Sequence, residues 1–217
     1  MSYYGEVLQV VFLSLFVSIT STLIASIIGM ILAIPIALKD FKFKKYITRL
    51  SETFMSIPPV LMGLVVYLLL SRKGPLGGFG LLFTPTAMII AQSLLVFPIV
   101  FGLTVSAIGN RGRKIKKNCI ALGAGNRDTL ILIIRECKVQ LFSVVAVGFG
   151  RAISEVGAVM MVGGNIKGDT RVMTTYIALE TGQGKFNEAI TIGVILLLVA
   201  FMVNFILHGL SKIDENR

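Results

Sequence analysis

Five apolar runs separated by short polar blocks organise this chain, and they cover residues 7–38, 54–70, 84–108, 139–162 and 189–210. A helix needs roughly 20 apolar residues to cross the hydrocarbon core of a bilayer. Four of the runs reach that length and 54–70 comes close, so each predicts a transmembrane helix. The first run is longer than one crossing requires. Gly29 and Pro35 predict a bend in it, or an end that emerges into the polar phase. Pro58 and Pro59 stand near the start of the second run, where a missing N–H costs least, and Pro98 lies inside the third. There is no internal repeat and no low-complexity segment, and residues 1–217 read as one transmembrane domain.

Composition agrees: 55% of residues are hydrophobic and only 15% charged, with a mean hydropathy of +0.86. Soluble domains carry roughly 25% charged residues. The formal net charge of +10 would suggest nucleic acid in a soluble chain. Here the charges sit in blocks between apolar runs, and no basic patch is interleaved with aromatics, so no nucleic-acid partner is expected. The 39–53 block holds Lys39, Lys42, Lys44, Lys45 and Arg49, the 107–138 block holds eight basic residues, and the tail holds two. The 71–83 and 163–188 blocks hold two and three. The positive-inside rule then places the N-terminus outside and the C-terminus in the cytoplasm. The opening MSYYGEV has no positive region, and the run after it is too long for a signal-peptide core, so a retained helix is expected.

The 107–138 stretch, AIGNRGRKIKKNCIALGAGNRDTLILIIRECK, is the most informative polar block. Residues 114–122 and 128–134 read as short helices, and Gly123 and Gly125 break them apart. Ala121, Leu122, Ala124, Leu130 and Ile133 give the block an apolar face suited to a groove on a soluble partner. A basic loop held against anionic lipid is the other reading.

Chemistry of the chain's own is scarce. The nearest approach to a phosphate-binding loop, residues 163–170, has Asp169 where a lysine must stand. No metal-ligand cluster or nucleophile–base set is visible, so neither catalysis nor a bound cofactor is expected. Cys119 and Cys137 match no metal or redox spacing and read as reduced cytosolic thiols, and His208 reads as an interfacial side chain.

Three polar features remain. Arg151 and Glu155, four apart, share a helix face. They form an ion pair that fixes packing, or Arg151 faces a polar pathway and offers positive potential to an anion that Glu155 limits. Ala146, Gly150, Ser154 and Ala158 recur every four residues, as in a close helix–helix contact. The outer block after the fourth run is rich in Gly, Thr and Asn. It is a solvated loop, or Asn165, Thr170, Thr174 and Thr175 wrap an oxyanion to which Lys167 and Arg171 supply charge. Asp169, Glu180 and Glu188 dilute that field.

Ala121-Leu122-Gly123-Ala124, followed by a helix and two more runs, resembles the coupling loop of ABC-importer membrane subunits. That family has a Glu-Ala-Ala triplet beginning six residues before the glycine, where this chain has Lys117, Asn118 and Cys119. Ile57-Pro58-Pro59-Val60 with Gly63, Gly74-Pro75-Leu76-Gly77 and Thr84-Pro85-Thr86-Ala87 resemble the molybdate/tungstate/sulfate branch. Residues 151–166, 170–175 and 178–181 are most similar to tungstate permeases. The resemblance implies an all-α integral membrane protein with the five-helix type I importer permease fold, in the cytoplasmic membrane of a prokaryote. It implies a homodimer, two cytoplasmic ABC ATPase subunits that carry ATP and Mg, and an extracytoplasmic oxyanion-binding protein. Ala121, Leu122, Gly123, Ala124 and Asp128 would transmit the ATPase motion from block 109–138. Arg151, Ser154, Glu155, Asn165, Thr170, Arg171, Thr174 and Thr175 are the candidates for the anion pathway.

Overall fold

A computed structural model describes residues 3–213 except Asp40 and Asn110, with the backbone alone at Tyr3, Tyr4, His208 and 210–213. His208's side chain and the end of the tail therefore lie outside the described residues. Ten α-helices and one short 3₁₀ turn, Gly77–Phe79, account for the regular structure among the described residues. They are α1 (Tyr3–Leu38), α2 (Lys44–Met55), α3 (Pro59–Leu70), α4 (Pro85–Gly109), α5 (Arg111–Ala121), α6 (Asn126–Glu136), α7 (Lys138–Ile153), α8 (Gly157–Gly163), α9 (Met173–Gly182) and α10 (Phe186–Ile213).

The long apolar runs become α1, α4 and α10, each long and apolar enough to cross a membrane. Gly29 does not interrupt α1. A Cβ there would lie 3.0 Å from Val100 Cγ1, so the glycine instead lets α1 approach α4 closely. α7 packs into the same seam, where Gly148 faces Val96 and Val100 of α4 and Thr22 of α1. This α1–α4–α7 layer buries Ala25, Val96, Val100, Val144 and Ala152.

Two sequence expectations need correction. The 39–53 block is not a loop: most of it is α2, which continues to Met55 and meets α3 at 95°. Ile47, Leu50, Ser51 and Phe54 recur at helical spacing on one face of α2. Its charges fall on the other face, which hides the pattern from a reading based on hydrophobicity alone. Pro58 and Pro59 then force the chain out of the α conformation. That leaves α3 only 12 residues long, about 18 Å.

The 139–162 run is likewise not one helix, because it breaks at 154–156 and α7 and α8 diverge by 58°. At the break, Ser154 Oγ donates to the carbonyls of Gly150 and Arg151 and competes with the backbone ladder. The Glu155 carboxylate accepts from the Ala158 N–H at 3.1 Å and so caps α8. The new direction drives α8 onto α3, where a Cβ on Gly63 would sit 2.7 Å from Ala158 Cα. Counting each bent pair as one crossing gives up to five membrane spans.

The polar blocks gather at the two ends of the bundle. At one end, Lys44 Nζ donates to the Ala37 carbonyl and Lys116 Nζ to that of Leu38, which holds α2 and α5 against the end of α1. At the other, Glu6 on α1 pairs with Lys167 at 2.6 Å and Arg171 at 2.9 Å. Most of α10 faces outward, with Leu197, Phe201 and Phe205 exposed.

Candidate coupling surface and polar core

The 107–138 block folds as the glycine pattern predicts. α5 and α6 form a helical hairpin whose free ends are tied by Arg111 and Glu136, 3.4 Å apart. The chain reverses at Gly123, whose φ of +76° is the left-handed conformation that glycine adopts without strain. Its N–H donates to the Ile120 carbonyl, and the Ala124 N–H donates to that of Cys119. Ala121, Leu122, Gly123, Ala124 and Asp128 all stand exposed at this tip, and Leu122 is 86% exposed. Asp128 lies in the first turn of α6, where the helix dipole favours an anion.

The apolar face differs from the expected one at Ile133, which is fully buried against Ala33, Ala37, Phe101 and Ile108. Ile133 anchors the hairpin to the bundle. The outward ridge is Ile120, Leu122, Leu130, Ile131 and Ile134. The reversal therefore presents exposed aliphatics between basic residues, the kind of surface that a groove on a partner could take up.

The second candidate region surrounds the helix break. Arg151 Nη1 lies 3.2 Å from Glu155 Oε2; the guanidinium side chain is 36% exposed and the carboxylate side chain 3%. The pair forms even though Glu155 lies beyond the end of α7. Thr174 joins them by donating to the Glu155 carbonyl at 2.8 Å. Around them the structure places groups that the sequence reading passed over. Ser21 Oγ donates to Gln92 Oε1 at 2.9 Å, and Gln92 Nε2 donates to the Ala152 carbonyl at 3.0 Å, beside the break. Ser14 Oγ accepts from the Met173 N–H at 2.7 Å. Ser14, Ser18, Gln92, Glu155 and Thr174 line a cavity of about 10 Å³, room for about one water molecule. This is a packed polar core and not an open channel within one subunit.

The remaining pathway candidates lie apart from that core. Thr170 Oγ1 donates to the Gly163 carbonyl and accepts from the Ile166 N–H. Thr175 closes a reciprocal cap with Val172 at the start of α9. Arg171 pairs with Glu6 and lies over the Tyr176 ring. Asn165 holds a φ of +51°, and its buried Oδ1 has no hydrogen-bond partner. The expected outer loop is thus a short turn followed by α9. The small-residue row divides as well: Ala146 and Ala158 are buried, whereas Ser154 is exposed and Gly150 faces open space. The serine row on α1 was discernible in the spacing of Ser14, Ser18, Ser21 and Thr22, each three or four apart or adjacent on one face.

Residues 9–217 match the family model described as binding-protein-dependent transport system inner membrane component. The chain is 49% identical to the tungstate uptake system permease protein TupB of Peptoclostridium acidaminophilum, over 97% of this chain and 92% of that protein. It is 40% identical to the protein of the same name from Campylobacter jejuni, over 90% of this chain and 85% of that one. A probable anion ABC transporter permease protein of Haloferax volcanii is 37% identical over 88% and 84%.

Proposed function

The chain belongs to the binding-protein-dependent transport system inner membrane components, and we propose that it is the permease subunit of an ATP-driven tungstate importer. The exposed glycine reversal of the α5–α6 hairpin carries this reading. The chain has no nucleotide-binding motif, so the work of transport has to enter from another subunit through a stiff, exposed element. Two relatives named as tungstate uptake permeases, at 49% and 40% identity over most of the chain, support the choice of anion.

In this reading α1, the α2–α3 pair, α4, the α7–α8 pair and α10 make five crossings, with the N-terminus outside and the basic end in the cytoplasm. Two copies form the conduit, and the open face of α7 with Gly150, Arg151 and Ser154 lines it. Each hairpin seats in a separate ABC ATPase subunit, which holds ATP and Mg and hydrolyses the nucleotide. An extracytoplasmic binding protein delivers the oxyanion to the outer end, where Asn165, Thr170, Arg171, Thr174 and Thr175 shape the entrance. Closure of the ATPase pair moves the hairpins and turns the cavity outward; hydrolysis and product release return it inward. Arg151 supplies positive potential to a dianion in a medium where an unpaired charge is costly, and Glu155 keeps the guanidinium in place.

Tungstate uptake into vesicles tests this, with the chain reconstituted alone or with its ATPase subunit and binding protein. Uptake is expected only with all components and ATP. Uptake by the chain alone on an ion gradient would overturn the reading, and sulfate transport in preference to tungstate would overturn the cargo.

A further inference from the structure

The amphipathic helix α2 roofs a crevice that the transport reading leaves unused. The crevice is about 400 Å³, within the range of small-ligand sites. Leu32 and Ile36 of α1, Ile47, Leu50 and Phe54 of α2, and Phe97 of α4 form most of its wall. Ser51, which also lines it, donates to the Pro98 carbonyl at 3.1 Å, so the wall offers almost no unsatisfied polar group. Leu32, Leu50 and Phe54 stay exposed at its open side.

The opposite face of α2 borders a shallow polar depression lined by Lys42, Lys45, Arg49 and one acid, Glu52. Lys44, also on its rim, is engaged with the Ala37 and Lys39 carbonyls and pins α2 to the end of α1. Lys42, Lys45 and Arg49 have no carboxylate partner among the described residues. Because α2 meets α3 at 95°, a crossing α3 lays α2 along the membrane surface. In that orientation Lys42, Lys45 and Arg49 stand at headgroup depth, with the apolar crevice on the other face of α2.

We propose that this is a binding site for one anionic phospholipid, with its phosphate on Lys42, Lys45 and Arg49 and an acyl chain in the crevice beneath α2. Charge complementarity favours this occupant over a second copy of the chain, whose matching face would bring the same basic patch. Each basic residue near an anionic surface strengthens lipid binding by several-fold. Three together predict at least a tenfold preference for an anionic over a zwitterionic headgroup.

The chain contains no tryptophan, so one introduced reporter is unambiguous. The full chain carrying Leu50→Trp is placed in phosphatidylcholine vesicles, and its fluorescence is titrated with brominated phosphatidylglycerol or brominated phosphatidylcholine. Half-quenching is expected at about a tenfold lower mole fraction of phosphatidylglycerol. Lys42→Gln/Lys45→Gln/Arg49→Gln should bring the two curves together. Phe54→Trp serves as a second reporter should Leu50→Trp fail to fold. Equal quenching by the two lipids would overturn the proposal. So would no quenching by either lipid together with cross-linking between copies through Leu50→Cys, because a second copy would then cover the crevice.

Discussion

Removing either partner of the Arg151–Glu155 pair should have unequal effects, because the two are unequally buried. The Glu155 side chain is 3% exposed and that of Arg151 is 36% exposed. Arg151→Ala leaves a buried carboxylate unpaired. Orphaning a buried charge costs about 3–5 kcal/mol. The surviving hydrogen bond from the Ala158 N–H places this case at about 3 kcal/mol. Glu155→Gln keeps an oxygen acceptor for that N–H and leaves a guanidinium that reaches water, so its cost is about 1 kcal/mol. In the double variant no buried charge remains, and the expected cost falls back to about 1 kcal/mol. The coupling energy between the two sites is therefore roughly 2–3 kcal/mol. At about 2–4 °C per kcal/mol for a chain of this size, Arg151→Ala should melt roughly 10 °C below the parent. Cys119 and Cys137 are buried, so a thiol-reactive dye reports the melt directly. Glu155→Gln melting as low as Arg151→Ala, or a double variant no more stable than Arg151→Ala, would refute the reasoning. Uptake by the double variant separates the two roles: lost uptake in a stable protein places the pair on the anion path, and normal uptake makes the pair structural.

Three further outcomes are expected. Gly63→Val should lower the melting temperature by roughly 5–10 °C, because overpacking against the Ala158 backbone costs about 1–3 kcal/mol and neither α3 nor α8 can yield locally. Gly123→Arg should leave the protein in the membrane, since the Cβ position meets nothing within 4 Å and the backbone strain is only about 1–2 kcal/mol, but it should abolish uptake and co-purification of the ATPase subunit. In the folded protein neither native cysteine should react quickly with maleimide at neutral pH. Both are buried, and burial pushes the Cys137 thiol above its ordinary value so that little thiolate forms; labelling measured against denatured protein checks this.

The long elements were legible because lipid exposure selects unbroken apolar runs, and α1, α4 and α10 follow them closely. The hairpin was legible for another reason: Gly123 and Gly125 interrupt two helix-forming stretches, and a left-handed residue is needed at that point. α2 was hidden because its apolar residues alternate with lysines and an arginine, so average hydrophobicity reads it as a loop. The break at 154–156 was hidden because the local bonds of Ser154 and Glu155 that make it are supported by residues distant in sequence. Gly63, Val60 and Thr174, up to 95 positions away from Glu155 in sequence, supply the surface and the hydrogen bond that stabilise it. The same limit applies to Glu6, whose partners Lys167 and Arg171 meet it only through the fold. Gln92 could have been suspected as an amide in an apolar run, yet its bonds to Ser21 and Ala152 follow only from how the helices pack.

The central claim is that a separate ATPase drives this permease through the Gly123 reversal. A photo-crosslinking amino acid in place of Leu122, the most exposed large hydrophobic among the described residues, tests it in vesicles that contain the chain and its purified ATPase subunit. The account predicts a cross-link to the ATPase subunit from position 122, and none from the same probe in place of Phe79 at the other end of the bundle. A position 122 that is reached only from the outer side of the membrane, or that never joins the ATPase subunit while ATP-driven uptake proceeds, would contradict it.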